Sequence, residues 1–157
     1  MQLVREITIE RSAAHARSAA RTYLLRLGYR SRAGTSDQYE RGSLLGSFIS
    51  FSPRGWRCLA TVRVRPAGPD RSSVRLALEV NTSGQMVTAP ERDYWEAEAD
   101  GFHAAITTGE IRATELSATA DAIESGGKGW LNKQVVSTVA GALVTIAFAV
   151  VLAKCGF

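Results

Sequence analysis

Histidine, cysteine and lysine are all scarce in this chain of 157 residues, which holds two, two and three of them respectively. With only His15 and His103 available, a binuclear carboxylate–histidine metal site is not expected, because the second helix would need its own Glu beside its His and His15 sits alone among alanines. Neither Cys58 nor Cys155 has a base beside it in sequence, and no serine sits in a nucleophile-elbow context, so covalent catalysis has no recognisable machinery. Gly126-Gly127-Lys128-Gly129 lacks the earlier glycine, the following Ser or Thr and the preceding strand of a phosphate loop. Internal repeats and long low-complexity tracts are absent as well. Met1 to Glu10 carries Arg5, Glu6 and Glu10 with no apolar stretch behind them, which argues against a secretory signal and predicts that the chain begins in the cytosol.

What is present in excess is apolar sequence at the C-terminus. Positions 135 to 153 contain no ionisable side chain, and nineteen helical residues reach roughly 28 Å, close to the hydrocarbon thickness of a bilayer. The expectation is a transmembrane helix over 135–154. Trp130, Lys133 and Lys154 stand where interfacial anchors belong, the lysines extending their ammonium groups to headgroups. Ser137, Gly141, Thr145, Ala149 and Ala153 recur every four residues and form a stripe of small side chains, which permits close approach of a partner helix. Arg112, Lys128 and Lys133 precede the run and Lys154 alone follows it, so the positive-inside tendency keeps the N-terminal domain cytoplasmic. Cys58 and Cys155 then lie on opposite sides of the membrane, and no disulfide between them is expected. Glycines at 126, 127 and 129 make 125–134 a flexible linker.

Residues 1–124 read as one α+β domain. Leu3, Ile7 and Ile9 alternate with polar neighbours as a half-buried strand does. Ser12 can cap a helix whose apolar stripe is Ala16, Ala20, Tyr23, Leu24 and Leu27, stopped by Gly28. A short strand or hairpin is expected from Tyr29 to Ala33 and Gln38 to Arg41, around Gly34-Thr35-Ser36-Asp37. The stretch Ser43 to Phe51 is apolar on both alternating faces and reads as a central strand or a loop pressed onto something apolar. Its Leu44, Leu45, Phe48 and Ile49, together with Trp56, are candidates for membrane or partner contact. Two cleaner strands follow, joined through Pro66 to Asp70, with Cys58, Ala60, Val62, Val64 and Val74, Leu76, Leu78, Val80 on their apolar sides. From Pro90 the period becomes helical, with Trp95, Ala99, Phe102 and Ile106 in one stripe and Ala113, Leu116, Ala120 and Ile123 in another beyond Gly109. The predicted architecture is an antiparallel sheet with helices on one face.

Charge is unevenly divided. Residues 1 to 75 hold fourteen arginines against five acids, whereas residues 76 to 127 hold two arginines against ten acids. Arg57, Arg63, Arg65 and Arg75 fall on the polar side of the two clean strands, so one sheet face should be wet, basic and available to an anionic lipid surface or an acidic partner. Nucleic acid is not the expected partner, since the arginines lack interleaved aromatics. Glu96, Asp100 and His103 share a helix face and are the one imaginable metal site.

The strand–helix–strands–helix order over residues 1 to 124 resembles the helix-grip domains, in which a curved sheet wraps a long C-terminal helix. That resemblance implies a lipid or other apolar ligand held between the sheet and the Trp95–Phe102 helix. The favoured expectation is different: a non-catalytic, tail-anchored accessory subunit of a larger membrane complex, such as one of energy conversion, needing no cofactor and no metal.

Overall fold

The alternation of β-branched and arginine residues at positions 58 to 80 drives the central feature of the domain, a long antiparallel hairpin. In the computed structural model, which describes residues 1–83 and 86–128, β4 (Cys58–Gly68) pairs with β5 (Arg71–Val80) across a turn at Pro69-Asp70. Three more strands, β1 (Gln2–Ile9), β2 (Arg30–Ser31) and β3 (Gln38–Arg41), complete a five-stranded antiparallel sheet of order β1-β5-β4-β3-β2. The first strand therefore closes one edge beside the last, and the short β2–β3 hairpin closes the other.

Helices α1 (Ala13–Arg26) and α3 (Ala89–Thr107) cover one face of this sheet. Ser12 caps α1 by accepting the His15 N–H, and Gly28 ends it at φ +84°, a conformation that L side chains rarely adopt. At the start of α3 the Thr88 N–H donates to the Glu91 carboxylate at 2.7 Å, and Pro90 occupies the first turn. A further helix, α4, is described over 113–128, after a break at Gly109.

The core lies between sheet and helices. Cys58, Ala60 and Val62 of β4 and Val74, Leu76, Leu78 and Val80 of β5 meet Ala16, Ala20, Tyr23 and Leu24 of α1 and Trp95, Ala99, Phe102 and Ile106 of α3. Tyr23 and Phe102 pack edge to face with centroids 5.7 Å apart. Gly101 is required here, since a Cβ would sit 2.8 Å from the Tyr23 hydroxyl. Leu116 and Ala120 of α4 are also buried. Residues Met1–Glu124 form one compact unit.

Two expectations are corrected. The stretch after β3 is neither strand nor loop but a short helix, α2 (Leu44–Ile49), followed by a single 3₁₀ turn at Pro53–Gly55. Trp56, proposed as a surface contact, is 0 % exposed and belongs to the core. Among the described residues no helix is long and apolar enough to cross a membrane. The proposed span, its anchors Trp130, Lys133 and Lys154 and its small-residue stripe lie outside the described residues.

Candidate functional site

Strand parity sends every second residue of the hairpin away from the helices, and the result is a sheet face that no described helix covers. Across it, Glu6 of β1 stands opposite Arg75 of β5, and Arg75 stands opposite Arg63 of β4. The next row is Thr8, Ser73 and Arg65. Glu6, Arg63, Arg65, Ser73 and Arg75 line one shallow depression, in which Glu6 is the sole acid and accepts a hydrogen bond from Ser73 Oγ at 3.3 Å. Like charges placed directly opposite on paired strands repel, so the Arg63–Arg75 pair is a local cost to the fold that Glu6, across from Arg75 on its other side, offsets only in part.

Other arginines are neutralised. Arg5 donates to Glu96 and Asp100, Arg71 pairs with Glu10, Arg112 with Glu110, and Arg41 with Glu98 at 2.8 Å. Among the described residues none of Arg57, Arg63, Arg65 or Arg75 has a carboxylate within 4.0 Å. Arg57 lies at the far end of β4, beside Leu59, Glu79 and Asn81, so the basic charge is concentrated toward the β4–β5 turn and only partly offset elsewhere.

A second surface is built on α2, and its polarity is inverted. Gly46, Ser47 and Ser50 face the protein, while Leu44, Leu45, Phe48 and Ile49 are 52, 66, 57 and 68 % exposed, with Phe51 at 36 %. The seat is made by small residues in close backbone contact. A Cβ on Gly46 would lie 2.1 Å from the Gly55 carbonyl oxygen, and one on Gly42, at φ +73°, would lie 2.1 Å from that of Trp56. Ser43 Oγ caps the helix by accepting the Gly46 N–H at 2.9 Å. Ser47 Oγ accepts the Arg57 N–H at 2.8 Å, and the Trp56 indole donates to the Ser50 carbonyl at 2.9 Å. The helix is therefore fixed with its large apolar side chains outward.

The third polar feature is internal. Arg41 leaves β3 into the core, where its guanidinium donates to Glu98, to the Leu27 carbonyl at 3.1 Å and to the Tyr94 hydroxyl at 3.3 Å. It also stacks on the Tyr29 ring at 4.5 Å and on Trp95 at 5.2 Å. Tyr29 donates to Glu98 and lies 3.2 Å from Cys58 Sγ. Burial alone would lower the pKa of Arg41, but the interactions with Glu98, Tyr29 and Tyr94 together outweigh it and hold the guanidinium above its ordinary value. Burial pushes the Cys58 thiol up to about 12 and raises Tyr29 and Tyr94, with the Glu98 charge adding to each. A thiol so placed is protonated at neutral pH and is a structural group rather than a nucleophile.

The sequence-derived sites thus separate. Arg63, Arg65 and Arg75 come together on the open face, and Leu44, Leu45, Phe48 and Ile49 come together on α2 without Trp56. Glu96 and Asp100 do not meet His103 as a metal site; they are held by Arg5, and His103 is exposed. Among the described residues no three of His, Cys, Asp and Glu are grouped to hold a metal ion. The buried Arg41–Glu98 pair escaped the sequence reading, although Glu98 falls on the same inner stripe as Tyr94 and Phe102. Compared with family models, curated proteins and solved structures, the chain gives no match.

Proposed function

We propose that the chain is a non-catalytic accessory subunit of a membrane complex, tethered by its apolar residues 135–154 and holding its uncovered sheet face against the acidic surface of a partner. The observation that carries this reading is the opposed pair Arg63–Arg75 with Arg65 beside it, set against the single carboxylate of Glu6 on the face that no described helix covers. A pair that costs stability in the free domain is explained if a partner supplies the missing negative charge. The interior position for an apolar ligand, between the sheet and α3, is filled by Trp95 and Phe102 themselves, both buried in the core.

The test is extraction of the tagged full chain in mild detergent, followed by sizing and identification of co-purifying subunits. A stoichiometric complex is expected, and Arg63→Glu with Arg75→Glu should release it at moderate salt. Gly141→Ile, which fills the small-residue stripe, should weaken retention independently of salt. Recovery as a lone monomer would refute the reading.

A further inference from the structure

We infer that α2 and the residue pair flanking it, Arg54 and Arg57, form a wedge that enters the interface of an anionic lipid bilayer. This goes beyond the accessory-subunit reading, because it stands on α2 alone and needs neither the C-terminal segment nor a protein partner.

Helices of soluble domains bury their large apolar side chains and expose their small and polar ones; α2 does the reverse. Its inner side is restricted to Gly46, Ser47 and Ser50 because the Gly55 and Trp56 backbone lies in contact with it, so no rotation of the helix can bring Leu45 or Ile49 inward without a clash. The outward residues Leu44, Leu45, Phe48 and Ile49 are contiguous on one helical face, and Phe51 extends it. Exposed apolar side chains grouped in this way mark a contact surface rather than ordinary scatter.

Charge identifies the occupant. From residue 42 to residue 58 the chain holds two arginines, Arg54 and Arg57, and no acid. Arg54 and Arg57 are both exposed, and Arg57 is tied to α2 through its own N–H on Ser47. Apolar side chains flanked by arginine suit an interface of acyl chains and anionic headgroups, where the apolar groups enter and the guanidinium groups remain with phosphate. A stable protein partner would need about 800 Å² of matched surface, more than four side chains on a six-residue helix and Phe51 just beyond it supply. A bilayer asks for no matching shape.

The experiment uses the full chain carrying Phe48→Cys and Cys155→Ser, labelled at position 48 with an environment-sensitive fluorophore. Cys58 is buried, with its thiol pushed up to about 12, and escapes labelling at neutral pH. The protein is mixed with phosphatidylcholine vesicles, or with vesicles also containing phosphatidylglycerol, and flotation and emission are both read. With anionic vesicles the dye should shift to the blue and be quenched by spin-labelled acyl chains, while a dye at exposed Leu25 on α1 (Leu25→Cys) keeps its aqueous spectrum. Leu45→Ser with Ile49→Ser should lower the inserted-to-free ratio about tenfold, with the thermal transition of the protein unchanged because both side chains are exposed.

Flotation with neutral vesicles and an aqueous spectrum at position 48 on anionic ones would overturn the wedge and leave the tether standing. Flotation only with anionic vesicles, with the dye inserted, would support the wedge and remove the tether. Flotation with neither would overturn both.

Discussion

Arg63→Glu should make the free protein more stable while making it a poorer partner, and the size of the gain follows from the register. Position 63 stands directly opposite Arg75 and two residues from Arg65 on its own strand. Side chains facing across an antiparallel pair have Cβ atoms roughly 5 Å apart, and arginine heads splayed to about twice that distance repel by about 0.4 kcal/mol in water. A glutamate there removes the repulsion and adds an attraction of similar size, so the gain from the 63–75 pair is roughly 0.8 kcal/mol before solvent screening reduces it. The Arg65 neighbour adds a smaller term of the same sign. For a domain of this size the change corresponds to a rise of roughly 2–4 °C in Tm. The assay is thermal unfolding of the full chain in mild detergent at low salt and again at about 1 M salt, where the screening length falls to about 3 Å and the gain should disappear. Arg57→Glu, beside Glu79 at the other end of β4, supplies the control, because it adds a second carboxylate there and should not stabilise. An unchanged Tm for Arg63→Glu, or a gain that persists in high salt, would refute the claim that these arginines are held together at a cost.

Other outcomes follow from the same geometry. Arg41→Met or Glu98→Leu alone should cost about 3–5 kcal/mol, since each leaves a buried charge unpaired, and the double variant should cost far less than the sum; urea unfolding of the four proteins measures this. Raising the pH should destabilise the fold: Cys58 stays protonated to about 12 when folded but ionises from about 9 when unfolded. Stability is therefore fully present below pH 9 and falls above it by about 1.4 kcal/mol per pH unit from this group. Tyr23, Tyr29 and Tyr94, all raised by burial, steepen the loss above pH 10. Cys58→Ala should flatten the curve between pH 9 and 10, read from urea midpoints. Gly46→Ala should destabilise by about 1–3 kcal/mol although alanine is the better helix former, because its Cβ has no room beneath the Gly55 carbonyl.

The hairpin was legible in the sequence because a period of two assigns every residue of Cys58 to Val80 to one face or the other, and the basic face follows from that assignment. The stripes of α1 and α3 were legible for the corresponding reason at a period of 3.6. The α2 segment was not, because its pattern of small residues at 46, 47 and 50 marks an inner face only once the partner surface is known to be the Gly55–Trp56 backbone. Read without that surface, nine residues with apolar side chains on both alternating faces suggest a buried strand. Trp56 was assigned outward for the same reason, its large side chain being grouped with its neighbours rather than with the core. Glu98 was hidden among the acids of α3, and its partner lies 57 positions away, a separation that no local pattern reports.

The buried pair and the exposed helix are consecutive in the chain, and this bears on how α2 is held. Arg41 is anchored at Leu27, Tyr94 and Glu98, and the next residue, Gly42, turns with positive φ against the Trp56 carbonyl before Ser43 opens α2. Trp56 is itself buried and returns a hydrogen bond to Ser50 at the end of the helix. The base of α2 is thus fixed on both sides by groups in the core. A rigid mount of this kind reduces the ordering cost of placing apolar side chains in an interface, because little backbone freedom remains to be lost on binding. An exposed apolar helix left loose could instead rotate its side chains inward, and the close packing of Gly46 against Gly55 removes that alternative. Loosening the mount through Glu98→Leu should therefore weaken vesicle insertion at position 48 more than its distance from the lipid would suggest.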